Sequence, residues 1–367
     1  MKIQASSQAL AEHLYRVQGI TSGKTTMPSL AHVLMRAEDQ RLVLQATDLD
    51  LAMEDSLPVT VKEPGSIALP AKSLYEVVKA LPAGDVTLSL GENNRVEVRA
   101  HKAHFKLVGM AAREFPALPT AQIIDWVEAG ARDLSEMVDQ TLFCVSTDDA
   151  RYNLSGVYWE PRRETLRFVS TDGHRLAMSE RPVKSLPKKP VIVPRRALVE
   201  LRRVLGNNPD KEQVVTYGFS DNHAVFRVGA VTLTSRLVDG QFPDYEQVVP
   251  KANTKRVKVS RQELSEALRR VSLLSPDRSF GVKFELSTGV LRIASQNPTL
   301  GEAEQEVTVE YEGDSMQVGF NAHYILEALS LISEGGAILE LSDELSPAVI
   351  SPLESRDFSA VVMPMRI

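Results

Sequence analysis

The chain of 367 residues has a single cysteine, Cys144, so it cannot form an intrachain disulfide. It lacks the run of about 20 apolar residues that a membrane-spanning helix needs, and its first residues have no apolar core of a signal peptide. We therefore expect a cytoplasmic protein without a membrane partner. Its 43% hydrophobic and 25% charged residues are typical of a folded globular protein.

Motifs that carry catalysis or bind metals are also missing. There is no Gly-x-Ser-x-Gly elbow, no His-Glu-x-x-His helix and no phosphate-binding loop, and the seven histidines lack ligand spacing. Asp172 and His174 form the most enzyme-like pair, but such a pair two residues apart in a turn more often only closes the turn. We predict no enzyme, no metal and no cofactor, with a hydrolase built on this pair as a distant alternative.

What the chain does contain is a pattern that occurs three times. Thr47 and its strand-like surroundings recur 124 positions later at Thr171, and a more degenerate copy follows another 124 positions on at Ser295. Each copy continues into a helical segment. Repeats of this length indicate three tandem domains. Pro-containing linkers at Phe115–Pro119 and Phe242–Tyr245 place them at residues 1–122, 123–250 and 251–367.

Each predicted domain begins with an amphipathic helix, continues with strands, and then repeats helix and strands. The first helices are expected to start at Ser6 or Ser7, at the capping pair Asp133 and Glu136, and at the capping box that begins with Ser260. Alternating apolar runs with turn residues between them predict antiparallel hairpins, for example 86–90 with 96–100. The predicted fold class is α+β, with two helices on antiparallel sheets in each domain.

Cationic side chains gather on several predicted helices, although the whole chain has a net charge of −6. In the helix that ends at Leu205, the face opposite the buried leucines carries four arginines against Glu200 alone. Lysines and arginines have similar positions on helices of the other two domains. An ordinary solvated face is the alternative for any one helix. Together these faces predict a surface that binds phosphates without sequence readout.

Over its whole length the sequence resembles the bacterial DNA polymerase III β subunit family, the β sliding clamps. The resemblance is carried by residues 171–178, 237–245, 319–321 with Tyr324, and 361–366. It implies a head-to-tail homodimer whose six domains form a ring around double-stranded DNA. It also implies a processivity factor whose partners are the replicative polymerase, the clamp loader and repair or translesion polymerases, bound through short linear motifs. A specialised paralogue that does not serve the main polymerase is the second hypothesis.

Three sets of site residues follow from these observations. The resemblance implies a peptide-binding cleft made of Leu154, Thr171, Gly173, His174, Arg175, Leu176, Pro243, Val248, Asn321, Tyr324, Val361, Val362, Met363, Pro364, Met365 and Arg366. The predicted DNA-facing residues are Lys24, Lys72, Lys79, Arg151, Tyr152, Arg195, Arg196, Arg202, Arg203, Arg261, Arg269 and Arg270. Opposite charges on two predicted edge strands suggest a subunit interface of Arg95, Arg99, Phe105, Leu107, Leu273, Leu274, Glu302, Glu304 and Glu306.

The sequence departs from the family pattern at a few places. Gln247, Ser279-Phe280 and the final Ile367 differ from the residues usual there, and the loop 147–152 is more acidic than the family's DNA-touching loop. These differences bear on peptide preference and on DNA contact in that loop. They do not alter the expected fold.

Overall fold

A computed structural model of the chain describes residues 1–21, 27–183, 185–251, 253–275, 280–333 and 335–366. The described residues form six helices, numbered in chain order: α1 (Ser7–Gln18), α2 (Ala71–Lys79), α3 (Ala131–Leu142), α4 (Arg195–Leu205), α5 (Arg261–Val271) and α6 (Ala322–Ser330). None of these helices is long and apolar enough to cross a membrane.

The same residues form 25 strands. In the first third of the chain these are β1 (Lys2–Ser6), β2 (His32–Glu38), β3 (Arg41–Thr47), β4 (Leu51–Pro58), β5 (Thr60–Glu63), β6 (Gly65–Pro70), β7 (Asp85–Leu90), β8 (Arg95–Ala100) and β9 (Ala103–Val108). Next come β10 (Trp126–Gly130), β11 (Gly156–Arg162), β12 (Thr165–Thr171), β13 (Arg175–Pro182), β14 (Val191–Pro194), β15 (Val214–Phe219), β16 (His223–Val228) and β17 (Val231–Arg236). The last are β18 (Lys255–Ser260), β19 (Gly281–Ser287), β20 (Val290–Asn297), β21 (Gly301–Glu310), β22 (Met316–Asn321), β23 (Gly336–Leu341), β24 (Ala348–Pro352) and β25 (Phe358–Val362).

The strands lie in three sheets, and every pairing among the described strands is antiparallel. A first compact unit, residues 1–135 with 196–237, contains a five-stranded sheet (β5-β1-β7-β8-β9) and an eight-stranded sheet (β10-β15-β16-β17-β4-β3-β2-β6). A second unit, residues 136–195 with 238–367, contains a twelve-stranded sheet (β14-β11-β12-β13-β25-β24-β23-β18-β21-β20-β19-β22). Amphipathic helices on antiparallel sheets confirm the predicted α+β class.

The three repeats share one hairpin geometry. In each copy a side-chain oxygen accepts hydrogen bonds from the backbone amides two and three residues further on, at 2.7–3.2 Å. The accepting residues are Asp48, Asp172 and Asn297. This turn satisfies amides that the strand ladder leaves unpaired. Asp172 and Asn297 are 125 positions apart, so the third copy is shifted by one residue from the alignment predicted at Ser295.

Helix starts differ from the prediction in two places. The hydroxyls of Ser6 and Ser260 cap α1 and α5 as expected, accepting from amides three residues on. α3, however, begins at Ala131, so Asp133 lies in its first turn and is not the cap. α4 begins at Arg195, two residues before Ala197, where the helical pattern predicts its start. In addition, β1, β10 and β18 precede the first helices, because strands of five or six residues are too short to show clear periodicity.

Candidate peptide-binding cleft and nucleic-acid surface

The chain ends in a segment that connects two parts of the twelve-stranded sheet. β25 pairs with β13, with Val361 opposite Leu176. Past β25, the Met363 amide donates to the His174 carbonyl (3.0 Å) and the Met365 amide to the Gly319 carbonyl (2.9 Å). The C-terminal segment is therefore attached both to the hairpin before β13 and to β22.

An apolar cluster lies under this part of the sheet. Val169, Leu176, Tyr245, Val349 and Val361 are buried together, and Tyr158, Met178, Phe242 and Val249 pack against them. Close by in the sequence, Val248 and Met363 remain 45% and 40% exposed. Exposed apolar side chains beside a buried apolar cluster are typical of a surface that binds an apolar partner.

The short helical turn Asp149–Leu154 and the linker around Pro243 are neighbours. The Asn153 side-chain amide donates to the Gln241 carbonyl at 3.2 Å, and Leu154 itself is 8% exposed. A Cβ atom on Gly240 would lie 3.4 Å from the Tyr152 hydroxyl, which shows how closely the two segments approach. The structure thus brings the surroundings of Leu154 and Pro243 together, whereas Pro243 itself is exposed.

Arg175 connects the hairpin to α6 and to the end of α3. Its guanidinium pairs with Asp172 (3.0 Å) and Glu327, donates to the Phe143 carbonyl (2.9 Å), and lies 4.4 Å from the centre of the Tyr324 ring. These contacts hold the hairpin in place, and the role of Arg175 in a peptide cleft stays a prediction. The partners Phe143 and Glu327 carried no sequence signal, because they meet Arg175 only in the folded sheet.

Asn321, the last residue of β22, immediately precedes α6, and Tyr324 lies in the first turn of that helix. The Asn321 side-chain oxygen caps this helix by accepting from the amides of His323 (2.9 Å) and Tyr324 (3.4 Å). The cap orients Tyr324 under Arg175. These two predicted cleft residues therefore lie at the start of α6, where Tyr324 contacts the Arg175 of the hairpin.

Asp172 and His174 do not form a catalytic pair. One Asp172 oxygen accepts from the His174 and Arg175 amides at 2.9 and 3.1 Å, and the other pairs with the Arg175 guanidinium. The carboxylate therefore closes the turn and does not orient the imidazole, as a general base would require. The arrangement gives no support to the hydrolase alternative.

A polar pocket of about 320 Å³ lies beside the same hairpin. Arg151, His174, Arg175 and Arg195 contribute cationic or imidazole groups to it, and Asp148 and Asp172 contribute carboxylates. Arg151 also donates to the Asp172 carbonyl at 2.9 Å. Arg151 and Arg195, predicted to face DNA, and His174, predicted to bind peptide, thus line one pocket, a proximity that their sequence positions do not indicate.

The predicted DNA-facing residues differ in how far their charges are already engaged. Lys72, Lys79, Arg195 and Arg269 are exposed, and no carboxylate pairs with them in the described part of the chain. Tyr152 is 59% exposed, and Arg261 is half-buried at the start of α5. Arg270 is exposed but contacts Glu266 (3.5 Å) and Gln305 (2.9 Å). Lys24 lies outside the described residues.

The arginines of α4 are less available than the sequence suggested. Arg196 pairs with Asp48 and donates to the Ile20 carbonyl (2.9 Å), and Arg202 donates to the Gly206 carbonyl. Arg203 pairs with Glu200 at 3.1 Å and stacks over Tyr15. Arg196 and Arg203 therefore join α4 to distant segments of the first unit, whereas the Arg202 contact lies at the end of α4 itself.

The helical pattern puts Glu200 on the solvated cationic face of α4. In the structure its side chain is buried and only 4% exposed. Burial raises the pKa of Glu200, and the nearby guanidinium groups of Arg203 and Arg196 oppose that rise. A side chain on Gly19 would lie within 2.3 Å of the Glu200 carboxylate and would also overlap Arg203. The glycine at the end of α1 thus permits this packing, which helical periodicity alone could not indicate.

Two sheet edges carry part of the predicted subunit interface, whereas Arg95 and Arg99 lie on β8 and Leu273 and Leu274 follow α5. β9 is an edge strand, on which Phe105 is 37% exposed. Beside it, Glu97 pairs with Arg99 (2.6 Å) and Lys106 (3.4 Å), so part of the positive charge on this edge is neutralised within the chain. These contacts lower the pKa of Glu97, with the Arg99 hydrogen bond as the largest cause.

The acidic edge is formed by part of β21. Among described strands, β21 pairs with β18 only at its last two residues, so residues 301–308 have β20 as their single neighbour. Glu302, Glu304 and Glu306 alternate on this stretch and are exposed. Leu273 is 76% exposed and Leu274 half-buried, and Ser279 lies outside the described residues.

Family models match all three parts of the chain. The N-terminal, central and C-terminal domains of the DNA polymerase III beta subunit match residues 1–119, 130–244 and 246–366. The chain belongs to the DNA polymerase III β subunit family. The family's members are β sliding clamps, which are processivity factors and not enzymes.

Relatives and solved structures agree with this assignment over full length. The beta sliding clamps of Pseudomonas putida and Escherichia coli K12 are 36% and 34% identical, and each alignment covers 100% of both chains. A crystal structure of the Pseudomonas aeruginosa DNA polymerase sliding clamp superimposes with a TM-score of 0.93 at 35% identity, covering 100% of both chains. A structure of the same organism's clamp bound to griselimycin superimposes with a TM-score of 0.94 at 35% identity, again covering 100% of both chains.

Family membership confirms two predictions, namely three α+β clamp domains and a non-catalytic processivity factor. The individual site residues and the boundaries at 122 and 250 remain predictions. Ile367, predicted to replace the usual last leucine, lies outside the described residues.

Proposed function

We propose that this β clamp subunit forms a cytoplasmic homodimeric ring that encircles duplex DNA and keeps replication polymerases attached to it. Its three clamp domains would occupy residues 1–122, 123–250 and 251–367. Two copies would then supply six domains to one ring. Topological linkage makes strong or sequence-specific DNA contacts unnecessary, and such contacts would slow sliding.

The observation that carries this proposal is the attached C-terminal segment. Met363 and Met365 are bonded to the His174 and Gly319 carbonyls, and Leu176 and Val361 lie buried in the adjoining strands. Such a surface offers apolar burial for a Leu or Phe anchor of a linear motif, with polar groups at its edge. The polymerase, the clamp loader and repair or translesion polymerases would dock here in turn.

The DNA-facing surface would rely on exposed cations that have no carboxylate partner among the described residues. Lys72, Lys79, Arg195 and Arg269 can each approach a phosphate without first breaking an ion pair. Arg196 and Arg203 would contribute mainly by holding α4 in place. Phosphate contacts of this kind carry no sequence information.

Ring closure would join the β9 edge of one subunit to the β21 edge of the other. Such a contact pairs two different surfaces and closes after two copies if the rotation permits. The carboxylates on β21 would meet Arg95 and Lys106, while Phe105, Leu107, Leu273 and Leu274 supply apolar contact. The charges would set the register of the two edges.

Retention on DNA tests the proposal directly. The protein is loaded by its host clamp loader onto nicked circular DNA and separated from free protein by gel filtration. We expect it to stay bound to the circle and to be lost after the circle is cut once, because a ring slides off an end. Equal retention on circular and linear DNA would contradict topological linkage. Primer extension by the host replicative polymerase then distinguishes the main clamp from a specialised paralogue.

A further inference from the structure

The eight-stranded sheet of the first unit carries a pocket of about 600 Å³ that belongs to none of the sites above. Ala52, Val225 and Thr234 form part of its floor, and the linker residues 115–121 with Trp126 form a wall. The volume lies within the range of roughly 300–1,000 Å³ typical of ligand pockets. A cavity of this size beside a domain linker needs an explanation.

Strand register makes this pocket the repeat counterpart of the apolar cluster in the second unit. Each lining position lies 124 or 127 residues before its counterpart. The cross-strand row Leu34, Gln45, Glu54 and Thr232 corresponds to the row Tyr158, Val169, Met178 and Ser359. The row Ala52, Thr234 and Val225 corresponds to Leu176, Val361 and Val349.

The second unit fills the space that the first unit leaves open. There, Phe242 stacks on Tyr158 with ring centres 4.9 Å apart, and Tyr245 is 5% exposed. In the first unit Phe115 repeats the Phe242 contact by packing with Leu34. The counterpart of Tyr245, however, is Leu118, and Ala52 stands in place of Leu176. A leucine and an alanine do not fill the volume of a tyrosine and a leucine, so the empty space suits an aromatic ring.

The charged groups at the pocket indicate an anionic partner. Within the described residues, neither Arg36 nor Arg227 forms an ion pair, and both are exposed. Arg227 lies 4.0 Å from the centre of the Trp126 ring, a stacking contact that uses the guanidinium face and not its N–H groups.

Arg36 differs in charge from the residue at the equivalent position of the second unit. It occupies the position of Glu160, which accepts the Tyr245 hydroxyl at 2.6 Å in the second unit. Where the second unit offers a carboxylate, the first therefore offers a guanidinium, whose preferred partner is a carboxylate. The one acidic lining residue, Glu54, already accepts from Gln45 at 2.6 Å.

We propose that this pocket docks a short segment of a partner protein in which an aromatic side chain stands beside carboxylates. The ring would occupy the space over Ala52 next to Leu118, and the carboxylates would pair with Arg36 and Arg227. The chain's own second linker, Phe-Pro-Asp-Tyr-Glu-Gln-Val at residues 242–248, has this chemistry and supplies a probe. The site does not depend on the C-terminal cleft or on ring formation.

Binding of the blocked heptapeptide of that sequence to the full-length protein tests the proposal, with Trp126 fluorescence as the signal. The other tryptophan, Trp159, is fully buried, and Trp126→Phe checks the origin of the signal. We expect saturable binding that is lost in Ala52→Leu and in Leu118→Tyr, which fill the space from the floor and from the linker. Arg36→Gln should weaken binding about tenfold, as should replacing the peptide's Asp and Glu by Asn and Gln.

Four results would overturn the proposal. The first is loss of binding after deletion of residues 363–367. The others are an absence of saturation at millimolar peptide, unchanged affinity in a folded Leu118→Tyr variant, or tighter binding of 4-hydroxyphenylacetate than of the peptide. The last would identify a site for small aromatic acids. Deletion of residues 363–367 should leave the affinity unchanged, and a loss there would assign the probe to the C-terminal cleft instead.

Discussion

The repeated turn allows the cleft hairpin to be tested against an internal control. Asp172→Ala removes the acceptor of two amide hydrogen bonds and the ion pair with Arg175. Asp48→Ala removes the acceptor of the two equivalent amide hydrogen bonds and the ion pair with Arg196. The two carboxylates are 19% and 8% exposed. The substitutions therefore delete nearly the same set of interactions in different units.

The expected cost can be worked out from these contacts. Two amide hydrogen bonds contribute about 1 kcal/mol each, and a partly exposed ion pair adds about 0.5–1 kcal/mol. Each alanine variant should then lose about 3 kcal/mol, or roughly 6–12 °C in the melting transition of its unit. Asp172→Asn should lose far less, because Asn297 makes the same turn with an amide oxygen.

Peptide binding should separate the two variants. The Asp172 hairpin presents the His174 carbonyl that holds Met363, so loosening it displaces the C-terminal segment. Fluorescence anisotropy with a polymerase-derived peptide should show about tenfold weaker binding for Asp172→Ala, a change of about 1.4 kcal/mol, and no change for Asp48→Ala. Equal affinities for the two alanine variants would refute the assigned role of the hairpin.

Three further outcomes are expected. Deletion of residues 363–367 should leave a folded dimer by sedimentation while weakening the same peptide strongly and abolishing stimulation in primer extension; full affinity would place the partner site elsewhere. Changing Leu273 to Ala and Leu274 to Asp should produce folded monomers in sedimentation analysis, and an unaltered dimer would rule out this interface. Because the pKa of Glu200 is raised in the folded protein, its contribution to stability is greatest below the usual carboxyl pKa of about 4.5 and declines as pH rises through the raised value. Urea unfolding of the wild type and Glu200→Gln across pH 4–8 should show that the free energy of unfolding of the wild type falls relative to that of the variant as pH rises. A constant difference between the two free energies would contradict the assignment.

Much of the architecture was accessible from the sequence, because it depends on local and periodic signals. The threefold repeat, the α+β class and hairpins such as β7–β8 and β15–β16 follow from apolar spacing and turn residues, which act over a few neighbours. The Asp172 turn could be anticipated for the same reason. Short strands such as β10 could not, since five residues carry little pattern.

Tertiary structure decided which charges are available and which spaces are filled. Glu200 and Arg203 lie on a helix face that periodicity assigns to solvent, yet Gly19 and Tyr15 from a distant segment cover them. Likewise, Ala52 and Leu118 are unremarkable in sequence, and only the pairing of β4 with β17 places them around a cavity that their counterparts fill. Local pattern determines which elements form, whereas the neighbours that meet across strands and helices decide what each side chain can still bind.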